Sequence, residues 1–486
     1  MPLVAEQDTT SPAPGGATTQ DRLKQVEAAF QRATALHREG KLDEAIAGYR
    51  QVVQVAPSFA RAYNNLGVAL RAKSQYAAAV TAYERSLANA PGDAGALSNM
   101  GNALRALGRF EDAEAAHRAA LEAKPDYAEA RYNLGLVLKD RGRFAESLEC
   151  LNETVRTKPD HVEAHWDRAL AWLQAGDLER GFAEYEWRWR LGDNPPRDFT
   201  QPMWDGEPLD GRTLLVHCEQ GMGDSIQFVR YIALLADKCG ATGKVVLECQ
   251  APLTRLFARL DGLHQVVTRG EPLPDFDCHV PLLTLPRIFG TSLDTIPGPN
   301  PYLHPYGDDA SRLAPALAAP PGWLKVGMCW AGKPSQRNDR NRSCGLAPML
   351  EAIGVPGAVF YGLQVGPRAA ELDQTGARGL IRDISPQLKD FADTAAVVSQ
   401  LDLVVSVDTS VAHLAGALGK PTWIALTFTG DWRYLDRQET TPWYPSARIF
   451  QQDIYGDWRG VFSRIKGALL EKIDPQGPSE GATDDD

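Results

Sequence analysis

Three short stretches of the chain combine the residue types that chemistry at a hydroxyl or a phosphate requires. The first is Gln220-Gly221-Met222-Gly223-Asp224, a double-glycine turn between an apolar run ending at Glu219 and a helix-like run from Ser225. Gly221 and Gly223 let the backbone pass close to a substrate and present Asp224 to a hydroxyl proton, the task of a general base. Two other readings stay open from the residues alone. Asp224 also suits the cap of the helix it opens. A dinucleotide fingerprint would use Glu248 as its ribose-binding acid, but wants a third glycine where Ile226 stands.

The second stretch is LDLVVSVD running into TSVAHLAGALGKPTW, which places Asp408 at a strand end, Thr409 and Ser410 at a helix start and His413 in its first turns. Free N–H groups at a helix start attract phosphate, and a carboxylate beside them can hold ribose hydroxyls. The alternative is a capped core helix with His413 as a satisfied buried residue. The third stretch, KPSQRNDRNR, sets Lys333, Arg337, Arg340 and Arg342 against one acid, Asp339, after the strand-like KVGMCWAG. Guanidinium groups bind phosphate oxygens in pairs and stabilise charge on a departing nucleotide; otherwise the stretch is a solvated polar loop. Asp275-Phe276-Asp277 matches a metal-holding D-x-D pattern, but three-residue patterns are common by chance and the cationic loop can do the neutralising, so no metal is expected.

Two kinds of element must position these residues. Over the first 195 residues Pro57, Pro91, Pro125 and Pro159 recur every 34, as do Gly67, Gly101 and Gly135 and also Ala45, Ala79 and Ala113. Helical spacing between the markers, as in RAYNNLGVALRAKSQYAAAVTAYERSLANAP, makes each repeat a helical hairpin that its proline ends. Residues 26–193 resemble the tetratricopeptide repeat family, with four clear repeats and a degenerate fifth in which Ala169 and Gly181 replace the expected glycine and alanine. That fifth repeat is expected to cap the array or dock it onto the second half of the chain. Asn65, Asn99 and Asn133 share the 34-residue period and are expected to line the inner surface as a ladder of carboxamides, each able to donate to and accept from a peptide backbone. The ladder resembles that of repeat-bearing enzymes that glycosylate proteins; bonding to a neighbouring helix of the solenoid is the other reading. Asp167 breaks it.

From residue 213 on, apolar strands (TLLVHCE, KVVLEC, HQVVTR, CHVPL, then KVGMCWAG, AVFYGLQ, LDLVVSVD, PTWIALT) alternate with helical stretches, including 225–239 and 252–259. This predicts parallel sheets covered by helices, in two halves with ligands at the strand carboxyl ends between them. The expected division is a disordered start over 1–20, repeats over 21–195, a Pro/Asp/Gly-rich linker over 196–212, α/β halves over 213–305 and 322–473, and a disordered acidic tail over 474–486. Trp432, Trp443, Tyr444 and Trp458 are expected to pack a terminal helix across the domains.

Together these patches resemble the heptosyltransferase family of glycosyltransferases, in the branch fused to tetratricopeptide repeats, over residues 211–473. The implied fold is an N-terminal tetratricopeptide α-solenoid followed by a GT-B-type pair of Rossmann-like parallel α/β domains. Gly221, Gly223 and Asp224 match the family's G-x-G-D turn, whose aspartate is the proposed base. Val407, Asp408, Thr409, His413 and Leu414 match its nucleotide-sugar motif V-D-T-G-x-x-H-L, with Ser410 in place of the glycine. Lys333, Arg340 or Arg342 corresponds by position to the phosphate-binding residue, and Gln364 to a further nucleotide-side contact. The resemblance implies an inverting transferase with a nucleotide-sugar as co-substrate and no other cofactor. It would act on Ser or Thr of a protein docked on the repeats, for which flagellin and a nonulosonic acid are the acceptor and sugar suggested. The alternative function is a scaffold or chaperone with a degenerate transferase domain. A free-standing lipopolysaccharide heptosyltransferase is disfavoured, because a small saccharide acceptor needs no peptide-sized solenoid.

Composition narrows the partners. With 51 Lys+Arg against 62 Asp+Glu the formal net charge is -11, so no broad basic surface is available for nucleic acid. Seven scattered cysteines, none spaced C-x-x-C, suggest neither disulfides nor zinc and fit a reducing compartment. The first twenty residues do not read as a secretory signal, and no run approaches the roughly 18 apolar residues of a membrane span, so a cytoplasmic protein is expected.

Overall fold

A computed structural model of the 486-residue chain describes residues 19–192, 195–240, 242–298, 300–334 and 339–474. The expected tails lie outside the described residues, except that Thr19 and Gln20 already belong to the first helix and Asp474 comes directly after the last. The chain divides into two compact units, Met1–His161 and Val162–Asp486. Among the described residues no helix is long and apolar enough to cross a membrane.

The first unit is a helical solenoid of four hairpins: α1 (Thr19–Arg38) with α2 (Leu42–Val55), α3 (Ala60–Ala72) with α4 (Tyr76–Asn89), α5 (Ala94–Ala106) with α6 (Phe110–Ala123), and α7 (Ala128–Asp140) with α8 (Phe144–Thr157). The 34-residue period is a packing rule. Ala45, Ala79 and Ala113 are fully buried, where only a small side chain lets helices approach. A Cβ on Gly67 would meet the Tyr83 ring at 2.5 Å, and one on Gly101 the His117 ring at 2.6 Å, so each glycine makes room for a ring from the second helix of its own hairpin. The turns repeat as well: Gly40, Ser74, Gly108 and Gly142 all have positive φ, and Ser74 alone does so with a side chain.

The fifth hairpin, α9 (Val162–Gln174) and α10 (Leu178–Tyr185), belongs to the second unit. Its departure from the repeat pattern is compensated: a Cβ on Gly181 would fall 2.5 Å from Leu173 Cδ2, so the helix contact that Ala169 closes is reopened one turn away. Leu173, Leu178, Phe182 and Tyr185 share one core with the α/β strands.

Two parallel sheets make up the rest. The first has the order β3-β2-β1-β4, with β1 Thr213–His217, β2 Lys244–Cys249, β3 Gln265–Thr268 and β4 Cys278–Pro281. The second has the order β10-β9-β8-β5-β6-β7, with β5 Leu324–Cys329, β6 Ala358–Gly362, β7 Ile381–Asp383, β8 Leu403–Val407, β9 Thr422–Leu426 and β10 Ala447–Gln451. The six-stranded order is the doubly wound one, reversing between β5 and β8; the first sheet is the same order without its last two strands, reversing between β1 and β4. That truncation accounts for the shortness of the first half. The segment expected as a linker is packed onto it: Trp204 is buried, its N–H donates to His279 O at 2.8 Å, and Met203 bridges to His279, covering the outer edge of β4. The helix expected over 225–239 is broken into Met222–Phe228, a 3₁₀ turn and Ile232–Cys239, and the next runs Ala251–Phe257.

His117 occupies the position that Tyr49 and Tyr83 hold in the preceding hairpins, fully buried with Gly101 beside it. Burial, with the Arg105 charge, lowers its pKa to about 4. A depressed histidine stabilises the fold above its unfolded value near 6.5 and loses that contribution as pH falls toward 4, here roughly 3 kcal/mol. His117→Tyr is therefore expected to flatten the fall in stability between pH 7 and 4.5, read by urea unfolding of the full chain.

Candidate functional site

The carboxyl ends of β1, β5 and β8 face a cleft of about 590 Å³. Its lining takes in Gly221, Gly223, Asp224, Lys333, Arg342, Gln364, Asp408, Thr409, Ser410 and His413. Tertiary structure thus brings into one cavity residues that lie up to nearly two hundred positions apart. The side chain of Arg340, like the whole of Arg337, lies outside the described residues.

Asp224 is not the cap residue of its helix. Gly221 is, and Asp224, three positions on, accepts the Gly221 N–H on Oδ2 at 2.9 Å. Its Oδ1 accepts from Arg433 Nη2. Burial pushes the Asp224 carboxyl above its ordinary range against the pull of Arg433, with Asp431 and Asp408 adding to the rise. Arg433 is a residue that sequence reasoning missed. Its Nη1 donates to Asp431 Oδ1 at 2.9 Å, its Nε to Gln227 Oε1, and its guanidinium lies 4.4 Å from the centroid of the Trp432 ring. Burial opposes its charge, but Asp431 and Asp224 keep it protonated, above its usual pKa. The sequence signal for it is the acid–aromatic–arginine run Asp431-Trp432-Arg433, of which only the aromatic residue is conspicuous by type.

On the opposite wall Thr409 caps the helix Ser410–Ala417 through its backbone only. Its hydroxyl is turned inward to Ser406 Oγ at 2.9 Å, so the first N–H groups of that helix have no side-chain cap. Asp408 Oδ1 accepts from Tyr434 Oη at 2.8 Å and lies 3.7 Å from His413 Nε2. His413 Nδ1 shares a hydrogen bond with Tyr444 Oη at 2.9 Å, and burial with the Arg433 charge lowers its pKa to about 3. It is a neutral, buried wall residue. Arg342 lies across Gly332, where a Cβ would fall 2.5 Å from Nη2; Nη1 donates to Asp408 O at 3.3 Å, while Nε, among the described residues, has no hydrogen-bond partner. Lys333 is exposed at the rim, and Arg368, also missed from sequence, adds a second guanidinium to this side, held by Glu371 at 3.1 Å.

Other expectations change with the geometry. Gln364 spends its carboxamide oxygen on the N–H groups of Trp330 and Ala331, at 3.2 and 2.9 Å, and so shapes the strand exit. Gly223 makes room for protein as well as lining the cleft, since a Cβ there would sit 2.8 Å from His413 Cδ2. Glu248 is buried against Arg197 at 2.8 Å, which removes the ribose acid of a dinucleotide site. Asp277 accepts the Thr213 N–H at 2.7 Å and ties β1 to β4. Trp432 and Trp443 pack with Phe182 and Phe228, and Tyr444 lies against Gly416; of the expected aromatic group only Trp458 belongs to the terminal helix, Trp458–Ile473. Asn65, Asn99 and Asn133 are each the sixth residue of their helices and half-buried. Asn99 donates to Asn64 of the neighbouring hairpin at 3.1 Å, whereas Asn65 and Asn133 have no hydrogen-bond partner among the described residues.

Paired Rossmann-like sheets with a cationic, helix-start wall facing a half-buried aspartate define a GT-B-like α/β region, preceded by a helical solenoid. The comparisons agree. Residues 30–94, 92–160 and 136–190 match tetratricopeptide repeat families, and residues 368–457 match glycosyltransferase family 9 (heptosyltransferase). The chain thus joins tetratricopeptide repeats to a family 9 glycosyltransferase region; the match takes in Asp408, His413 and Arg433 but not Asp224 or Arg342. Protein FlbA of Caulobacter vibrioides is 28% identical over 332 residues, 63% of this chain and 54% of its own length. The chain therefore spans about half the length of that curated relative. Among solved structures, MamA from Desulfovibrio magneticus is 20% identical with a TM-score of 0.32, covering 36% of this chain and 98% of that one. The pilF protein of Pseudomonas aeruginosa is 21% identical with a TM-score of 0.33, covering 35% and 78%.

The His413 ring that Gly223 approaches is held by its hydrogen bond to Tyr444. Gly223→Ala is expected to destabilise the protein by about 1–3 kcal/mol through overpacking, seen as a lowered denaturation midpoint. An unchanged midpoint would show that the ring has room to move.

Proposed function

We propose that the protein transfers a sugar from a nucleotide-sugar to a Ser or Thr hydroxyl of a protein held by its tetratricopeptide repeats, in a single inverting displacement without a metal. The carrying observation is the cleft in which Asp224 from one sheet faces Arg342, Asp408 and the uncapped helix start at Ser410 from the other. The helix N–H groups and the Arg342 guanidinium suit the diphosphate, and the Asp408 carboxylate suits ribose hydroxyls. Asp224 takes the acceptor proton as the hydroxyl oxygen attacks the anomeric carbon and the nucleotide leaves. Its two bound donors leave half of its roughly four lone-pair sites for that proton. Flagellin is the acceptor to test first, with a nonulosonic acid among the sugars and the cytoplasm as the place of reaction.

The repeats raise the local concentration of acceptor hydroxyls. Asn65 and Asn133, whose carboxamides have no hydrogen-bond partner among the described residues, are the peptide contacts; Asn99, bonded to Asn64, contributes less. Asn65→Ala combined with Asn133→Ala is expected to raise the acceptor KM at least tenfold, and Asn99→Ala to raise it less, with donor KM unchanged.

The nucleotide test needs no acceptor. A nucleotide at 100 times its dissociation constant adds about 2.7 kcal/mol to stability, so one of CMP, UDP, GDP and ADP is expected to raise the thermal midpoint. Arg342→Ala should lose that shift. Asp224→Asn should keep it while abolishing transfer; a fully active Asp224→Asn protein removes the base assignment, and no response to any nucleotide favours a scaffold.

A further inference from the structure

The fifth hairpin, by sequence the end of a protein-binding array, is built into the unit that carries the cleft. Its side chains reach both segments that hold the Asp224–Arg433 pair. Tyr185 Oη lies 3.2 Å from Gln220 Oε1 and 3.0 Å from Gln220 Nε2, directly before the turn whose Gly221 N–H fixes Asp224. Gln174 Nε2 donates at 2.5 Å to the carbonyl of Leu435, two residues past Arg433. Leu435 has a φ of 56°, a left-handed conformation that a branched residue keeps only where its surroundings impose it. Between these two contacts the Phe182 ring meets Phe228, the last residue of the Asp224 helix, and Trp432 edge-on, at 6.1 and 5.7 Å between centroids.

We propose that Tyr185 and Gln174 are positioning residues of the transferase: through Gln220 and Leu435 they set the turn of Asp224 and the segment of Arg433 against each other, so that the last repeat is a working part of the active site. The proposal rests on Asp224 being the base. The physical need is plain. Asp224 and Arg433 come from different halves and are joined by one ion pair and the neighbouring Arg433–Gln227 bond, and neither the short helix Met222–Phe228 nor the three-residue turn Trp432–Tyr434 is long enough to hold its own orientation. A third element contacting both supplies that orientation. The ionisable groups around the Asp224 carboxyl are Arg433 and Asp431 from one segment, Asp408 from the end of β8, His413 behind Gly223 and Tyr185 from α10.

The test uses Tyr185→Phe and Gln174→Leu in the full chain, substitutions that keep size and packing while removing the polar contact. A misplacement of about 1 Å at a reacting group can cost about 100-fold, so kcat is expected to fall roughly 10- to 100-fold. Donor KM and the nucleotide-induced thermal shift should stay within about twofold of the wild type. A loosened Arg433 lowers the Asp224 pKa less, so the acid limb of the kcat–pH profile should move to higher pH. An unchanged kcat and acid limb overturn the proposal, as does a loss of nucleotide response in step with kcat. A second readout does not depend on turnover: the infrared carboxyl band of Asp224, isolated by subtracting the Asp224→Asn protein, should titrate at higher pH in Tyr185→Phe than in the wild type. A shifted band supports positioning even if the wild type transfers no sugar, which would count against the proposed function alone; an unshifted band overturns it.

Discussion

One buried guanidinium ties the candidate site together. Arg433 reaches from the segment after β9 to Asp224 on the first sheet's helix, to Asp431 beside it and to Gln227 a turn beyond, so its donors are shared between the two α/β halves. A buried charge is tolerated only when paired, and stripping one partner from such a pair typically costs about 3–5 kcal/mol. The halves are therefore held in a relation that brings Asp224 to face the wall formed by Arg342, Asp408 and the start of the Ser410 helix. A second ionic link, Arg255 on Asp390 at 2.7 and 2.8 Å, crosses between the same halves.

Close packing sets what those charges can do. Gly223 admits the His413 ring, Gly416 admits Tyr444, and Gly332 admits Arg342. Each is a position where one added carbon would move a site residue. The result is a set of side chains whose free atoms are limited by geometry: Thr409 and Gln364 are turned inward, while the first N–H groups of the Ser410 helix carry no side-chain cap. The cleft thus has polar groups along this wall, beside a buried, neutral His413.

The repeats show the same economy at a different scale. The second and third hairpins carry the full 34-residue set of glycine, alanine and ring, the first has Ala33 for the glycine, the fourth has Ser147 and Leu151 for the alanine and ring, and the four form a unit of their own. The fifth breaks the rule at Ala169 and Gly181, and the break goes with a change of allegiance: its apolar face joins the core of the α/β sheets rather than the repeat core.

Much of this was legible in the sequence, because repeat period, strand alternation and helix starts are local properties of side-chain size and polarity. The 34-residue markers fixed the hairpins to within a few residues, and the apolar runs located all four strands of the first sheet. Asp224, Asp408 and Arg342 could be named because acids and arginines at strand ends are chemically conspicuous. Tertiary structure alone decided which atoms stay free. Nothing local says that the Thr409 hydroxyl turns to Ser406, that Gln364 serves the backbone, that Asn99 is spent on Asn64 while Asn65 is not, or that Arg433 rather than the cationic loop meets Asp224. Hydrogen bonds and ion pairs form between groups that the fold brings within about 3 Å, and that proximity depends on how whole elements pack, whereas the elements themselves depend on the order of residues within each.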